Sequence, residues 1–255
     1  MPIEYLNFDS ANATKLNNEA FNATFNLLYK YRNVKKIYLK NLELPIGFPN
    51  IRTSNNSNVL SFILNGVSYT ATISQSYFNS ISSLITALNT AISSVVSPTY
   101  TFVLSVNTTN NIVLTITNVS SPSTAVIYTI NSTTLSIILG ISTLNNVSSL
   151  TTTNTNTIYN LSYDNYIPMV FTNIPSKMTG SNNNYASSLK VPLNAIPYSV
   201  FYYITDRNTF DQALTIIDNH FILDNLKVLF YDRFGYQLYN GNLDFSFTIA
   251  IEYDE

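Results

Sequence analysis

At 255 residues, 45 % hydrophobic and 13 % aromatic, the chain can bury one large β core or two smaller ones. Only 10 % of its residues are Asp, Glu, Lys or Arg, against about 25 % in an average globular domain. The net charge of −2 and the absence of cysteine argue against direct, sequence-specific nucleic-acid binding, disulfides, thiol chemistry and thiolate metal sites. The polar residues are mostly Asn, Ser and Thr. So weak a surface charge lowers mutual repulsion and favours ordered self-association, although AT-rich coding produces the same bias.

Residues 1–20 carry few periodic apolar positions and read as an extended arm, with no basic segment followed by an apolar core that would mark a signal peptide. No run approaches the roughly 20 apolar residues of a membrane span. Phe21 to Tyr31 is aromatic and apolar and lies across the body of the domain in this reading. In Val34 to Pro45, Ile37 and Leu39 share one face, while Leu42 and Leu44 keep the opposite phase. That flip near Lys40-Asn41 predicts a bulge in a long strand, ended by Pro45.

Residues 49–58 form a polar break. Val59 to Leu64 and Val67 to Ile73 are separated by Asn65-Gly66 alone, a strong hairpin signal. Ile81, Leu84, Ile85, Leu88 and Ile92 fall on one helical stripe, with Asn79 or Ser80 as cap and Pro98 shortly beyond the end. Tyr100 to Val106 and Ile112 to Thr117 predict a second hairpin, Ala125 to Ile130 another strand. Leu135 to Leu139 predicts a short helix capped by Thr133 or Thr134 and stopped by Gly140. Residues 59–141 thus read as a compact α+β unit.

Residues 142–157 read as a Ser/Thr/Asn linker. The β pattern returns at Met169 to Thr172, Leu189 to Ile196 and Ser199 to Thr205, with Pro192 placing its strand at an edge or a bulge. Residues 176–188 read as an exposed loop. The segment 208–220 stays open: Phe210, Ala213, Leu214 and Ile217 fit a helical face, and Leu214 and Ile216 equally fit the start of a strand. Leu226, Val228 and Phe230 form a strand face, Asp232 to Gly235 a reversal, and Asn240-Gly241 a tight two-residue turn. In the last run Phe245, Phe247, Ile249, Ile251 and Tyr253 alternate with Asp244, Ser246, Thr248, Ala250 and Glu252, a strand with one buried face.

The expected architecture is mainly β: a single jelly-roll β-sandwich in two segments, 1–52 and 146–255, its first and last long strands meeting in one sheet. A small α+β domain, 53–145, is inserted between them. The stretches VKKIYLKNLELPI, FILNGVSYTATISQSYFNSISSLITALNTAI, NIVLTITN, STTLSIILGI and LKVLFYDRFGYQLYNGNLDFSFTIAIE, in this order over residues 34–253, resemble the penton (vertex) and minor capsid proteins of large double-stranded DNA viruses and virophages. Each stretch is a packing pattern, and their order carries the specificity. The resemblance implies a homopentamer at the fivefold vertices of an icosahedral virion, in contact with a double-jelly-roll major capsid protein. It also implies further minor capsid or fibre proteins as candidate partners, with synthesis and assembly in the host cytoplasm.

The residues offer little for catalysis. The only histidine, His220, is read as a surface or interface residue rather than a general base. With one histidine and no cysteine, nucleophilic triads and histidine-rich zinc sites lack their parts. The carboxylates Asp206, Asp211, Asp218, Asp224, Asp232, Asp244, Glu252, Asp254 and Glu255 fall mostly at predicted turns or strand ends, where Asp solvates a reversal; a hydrolytic pair would need two of them in one cleft. Asn-x-Ser/Thr triplets such as those at Asn107 and Asn131 arise by chance in such a composition. We therefore assign no catalytic, cofactor-binding or metal-ligating residue and no enzymatic activity. The 19 tyrosines and 15 phenylalanines, with Tyr198, Tyr202 and Tyr203 crowded on one strand, suit core packing or an interface. The alternative reading is a jelly-roll attachment or glycan-binding head of a virion.

Overall fold

The computed structural model describes residues 1–141, 144–149, 152–161, 166–177, 188–193, 199–204, 213–218 and 220–254. The chain divides into two compact units, Met1–Phe48 with Asp164–Glu255, and Pro49–Tyr163. The first unit opens with β1 (Ile3–Asp9), β2 (Thr14–Lys15), β3 (Asn22–Tyr31) and β4 (Val34–Pro45). The second holds β5 (Val59–Leu64), β6 (Val67–Thr72), α1 (Ile81–Val96), β7 (Tyr100–Val106), β8 (Asn111–Asn118), β9 (Val126–Ile130), α2 (Thr134–Ile138), β10 (Val147–Ser149) and β11 (Thr152–Ile158). The first unit then resumes with β12 (Tyr166–Phe171), β13 (Ser176–Lys177), β14 (Ser188–Pro192), β15 (Val200–Ile204), β16 (Ala213–Ile216), β17 (Leu223–Phe230) and β18 (Ser246–Tyr253).

The first unit is a jelly roll. One sheet runs β1-β18-β4-β16-β13, with β15 also paired to β4; the other runs β14-β12-β17-β3-β2. Successive long strands β1, β3, β4 and β12 alternate between the two sheets, as do β16, β17 and β18, so the connections wrap around the sandwich. Apolar side chains of both sheets fill the space between them. Phe8, Phe245 and Phe247 come from one side and Phe25, Phe171 and Phe230 from the other, all buried in one cluster.

The final strand is central. It pairs antiparallel with β1 on one side, Leu6 opposite Ile249, and with β4 on the other, Leu39 opposite Ile249 and Ile37 opposite Ile251. Phe247, Ile249 and Ile251 are almost fully buried, as the alternation requires. Ala250, on the opposite phase, is buried too, because Tyr5 and Tyr38 flank it in register. The β4 bulge falls where the phase flips: Thr248 pairs with Asn41 and Ile249 with Leu39, leaving Lys40 unopposed. The Ile37/Leu39 pair and the Leu42/Leu44 pair therefore all point inward despite their shifted phase. Pro192 sits on β14, the edge of its sheet, where a missing N–H costs no ladder bond.

Three expectations for this unit are corrected. Residues 1–20 are more than an extended arm: β1 pairs with β18 in the first sheet and Phe8 enters the core, a contribution hidden because only Phe8 of its seven residues is buried. Phe21 to Tyr31 does not cross the domain but forms β3, paired with β17. Asn240-Gly241 is not a hairpin turn, since β17 and β18 lie in different sheets. The Asn240 carbonyl instead accepts from Leu243 N–H at 3.3 Å, opening a four-residue turn. Asp232 does make the expected reversal, its carboxylate accepting from Phe234 N–H and Tyr236 N–H. The 208–220 alternative resolves to a strand at Ala213–Ile216, while 208–212 and most of the 176–188 loop lie outside the described residues.

The second unit builds on β10-β9-β5-β6 and β11-β8-β7, with α1 packed on β6 and β7. Asn65 and Gly66 both hold positive φ, 47° and 84°, as a tight hairpin twisted with its strands requires. Ser80 caps α1 by accepting from Ser83 N–H, and Ile81, Leu84, Ile85, Leu88, Ile92 and Val96 are its buried stripe. Thr133 and Ser136 form a reciprocal capping box on α2. The unit starts at Pro49 and ends at Tyr163, not at 53 and 145, because the supposed linker 142–157 supplies two strands. β10 pairs with β9 and β11 with β8. Edge strands need only a backbone partner on one side, so Ser, Thr and Asn suffice.

Candidate assembly surface

Among the described residues the jelly roll has open edges at both flanks. At one flank β1 and β3 stand opposite each other across the mouth of the sandwich. Beneath them the rings of Phe8 and Phe25 meet edge to face at 5.1 Å, and Phe8 stacks on Phe247 at 4.8 Å. Along β3 the register with β17 jumps: Asn26 pairs with Asn225 and Tyr31 with Leu223, so residues 27–30 face a single partner position. This excursion lifts Leu28 and Tyr29 off the sheet, 95 % and 72 % exposed. A cleft of about 750 Å³ runs along this flank, walled by β1, by the β3 excursion and by parts of β4 and β18. Its charged lining residues are Glu4, Asp9 and Glu43.

Glu4 closes one end. Its carboxylate accepts from Tyr31 Oη at 2.8 Å and Tyr253 Oη at 3.3 Å, and the two rings meet edge to face at 5.5 Å. Burial, then the hydrogen bond to Glu4, pushes the Tyr31 phenol up to about 12. At the other end the chain around residues 10–19 is tied to the last strand. Asp244 accepts from Ser10 Oγ at 2.7 Å and from the Lys15 ammonium, and the Lys15 bond chiefly holds its carboxyl below the ordinary range. Glu19 is buried and accepts three backbone N–H groups: Phe21 at 3.1 Å, Asn240 at 2.7 Å and Gly241 at 2.9 Å.

At the opposite flank β15 extends the first sheet beyond β4, with no further strand outside it among the described residues. Tyr202 and Ile204 stand 62 % and 75 % exposed on one face, beside the exposed Val200. Of the crowded tyrosines, Tyr202 is therefore a surface residue, Tyr203 packs partly against the core, and Tyr198 lies outside the described residues.

The sequence-selected carboxylates that fall among the described residues do not converge on one cleft. Asp218 accepts from the N–H of the exposed His220, Asp224 from the Asn225 amide, Glu252 from Tyr38 Oη, and Asp254 faces Lys35 at 3.6 Å. Asp206, Asp211 and Glu255 lie outside the described residues. Among the described residues no group of three His, Asp or Glu is placed to hold a metal ion, and no helix is long and apolar enough to cross a membrane. Sequence reading missed Leu28, Tyr29 and Glu19. The signal for the first two was the doubled Leu27-Leu28, which breaks the β alternation; Glu19 gave none.

The charges are distributed unevenly. Arg52 is the only Asp, Glu, Lys, Arg or His between residues 49 and 163, and it is buried. The exposed side of α1 carries Ser82, Ser83, Thr86, Thr90, Ser93 and Ser94, with Val95 at its end, so this helix meets solvent mainly through hydroxyls.

No protein-family model and no curated protein sequence matches the chain. Among solved structures, the chain is similar to the mavirus penton protein at TM-score 0.55 and 11 % identity, covering 98 % of this chain and 99 % of that one. It also aligns with the Sputnik virophage structure at TM-score 0.43 and 9 % identity, covering 98 % of each chain. The fold of this chain, jelly roll and inserted unit together, is that of the mavirus penton protein.

Proposed function

We propose that this chain is a structural capsid protein, a penton subunit that forms a homopentamer at the fivefold vertices of an icosahedral virion and contacts a double-jelly-roll major capsid protein. One observation carries the reading: the likeness to the mavirus penton protein spans both chains almost end to end, inserted unit included. The exposed apolar edges at the two flanks of the jelly roll support it, since residues such as Leu28, Tyr29, Tyr202 and Ile204 gain by being covered. The role is assembly rather than chemistry. Its place is the capsid vertex, after synthesis in the host cytoplasm. Native mass spectrometry of the full chain tests the ring directly, with five copies expected. A particle reconstruction with different density at the vertices would refute the reading.

A second reading, an attachment head for glycans, is favoured by the charge-free sequence of residues 53–163. Hydroxyl and amide side chains suit neutral sugars and offer no cation to sulfated or sialylated ones. A glycan array probed with the full chain should show neutral ligands if this holds, and none if the inserted unit serves assembly alone.

A further inference from the structure

A closed ring of identical copies cannot use one self-complementary patch. It needs two different patches, one on each side of every subunit. The jelly roll carries two candidates at opposite flanks of the same sheet, the β1 edge with its cleft and the β15 edge. Among the described residues both are open edges of a kind that proteins usually cover or pair. Two copies joined β1 to β1 by a twofold axis would leave both β15 edges bare and could not close a ring of five.

Charge favours the same occupant. The cleft presents Glu4, Asp9 and Glu43, and an incoming edge with its own carboxylates would be repelled. Residues 199–204, Ser-Val-Phe-Tyr-Tyr-Ile, carry none. Their exposed members Tyr202 and Ile204 find apolar partners in Leu28 and Tyr29 at the cleft rim. We infer that the subunit contact is head to tail: the β15 edge of a second copy of this chain seats in the β1–β3 cleft, Tyr202 and Ile204 covering Leu28 and Tyr29. This inference rests on the homopentamer reading and names its interface.

The test uses two full-length variants, Leu28→Asp/Tyr29→Asp and Tyr202→Asp/Ile204→Asp, with particle mass measured by mass photometry. All four side chains are exposed, so circular dichroism and melting should match the parent chain. Each variant alone should be monomeric. An equimolar mixture should give dimers and nothing larger, because one intact contact remains per pair. If either variant alone forms the parent oligomer, or the mixture stays monomeric, the interface is wrong while the pentamer reading stands. Variants that assemble normally but fail to enter particles would overturn it as well, giving the cleft to a different capsid chain. A monomeric parent chain would remove the pentamer reading itself.

A second measurement does not depend on aspartates. The chain has no cysteine, so Leu28→Cys with Ile204→Cys introduces the only thiols. A short bis-maleimide should link the double variant into a ladder of up to five, and each single variant into no ladder. Dimers from Leu28→Cys alone would show like-to-like contact and overturn the head-to-tail assignment.

Discussion

Glu19 offers the sharpest test of how the jelly roll is held together. Its carboxylate is buried and receives N–H groups from Phe21, Asn240 and Gly241. It thereby joins the start of β3 to the turn before β18, Asn240 lying 221 positions further along the sequence. Glu19→Ala leaves all three donors without their acceptor. At about 1–3 kcal/mol for each of the two buried donors, Phe21 N–H and Asn240 N–H, the loss should be about 2–6 kcal/mol. Glu19→Gln keeps one oxygen, enough for the two donors on Oε1, but turns an amide N–H₂ toward Gly241 N–H. That single mismatch should cost about 1–3 kcal/mol. Urea unfolding followed by circular dichroism gives the magnitudes. Because the two units can unfold separately, amide exchange at Phe21, Asn240 and Gly241 should be read alongside, with protection at those amides lost ahead of the rest. Destabilisation below about 0.5 kcal/mol by Glu19→Ala, with those amides still protected, would refute the role.

Other consequences follow from single contacts. A Cβ on Gly47 would sit 2.2 Å from Leu243 Cδ1 and 2.8 Å from Asn240 Oδ1. Leu243 is exposed and can swing away, whereas Asn240 is held by Gly47 N–H and the Pro45 carbonyl. Gly47→Ala should therefore cost about 1–3 kcal/mol, measurable as a lower urea midpoint. The lowered Asp244 carboxyl contributes stability above its unfolded value near 4 and loses it as pH falls through its folded value. With a half-exposed side chain the contribution is below about 1 kcal/mol. Asp244→Asn should flatten the acid limb of the urea midpoint against pH, and an unchanged limb would count against the Lys15 contact. Tyr31 keeps its proton in the folded state up to about 12, above the ordinary 10.0. Its contribution is thus complete below pH 10 and fades as pH rises through 12. Tyr31→Phe should remove one tyrosinate transition near pH 12 from the alkaline titration.

Much of the architecture is written in local pattern. The Asn65-Gly66 hairpin needs only two residues that tolerate positive φ. The α1 stripe needs only a spacing of three and four with Ser80 at its head. The β4 bulge follows from Ile37 and Leu39 falling out of phase with Leu42 and Leu44, because inward-facing residues must keep facing inward when one residue is inserted. What stayed hidden were elements whose stability comes from a distant partner. β1 buries little beyond Phe8 and is a strand because β18 offers it an edge. β10 and β11 are rich in Ser, Thr and Asn and exist through backbone bonds to β9 and β8.

The candidate surface divides the same way. That aromatic residues were available for contact was visible in the composition and in the run Tyr202-Tyr203. That Leu28 and Tyr29 leave the sheet depends on the register between β3 and β17, and the cleft exists because β1 and β3 fall at the same flank. Alternation, capping and turn residues act over a few positions, so the sequence alone settled the strands with strong amphipathic faces, the helices and the presence of a β-sandwich. Which edges stay open, and which buried carboxylate gathers donors from far along the chain, depends on contacts that form only when the two sheets close on one another, and tertiary structure alone decided them.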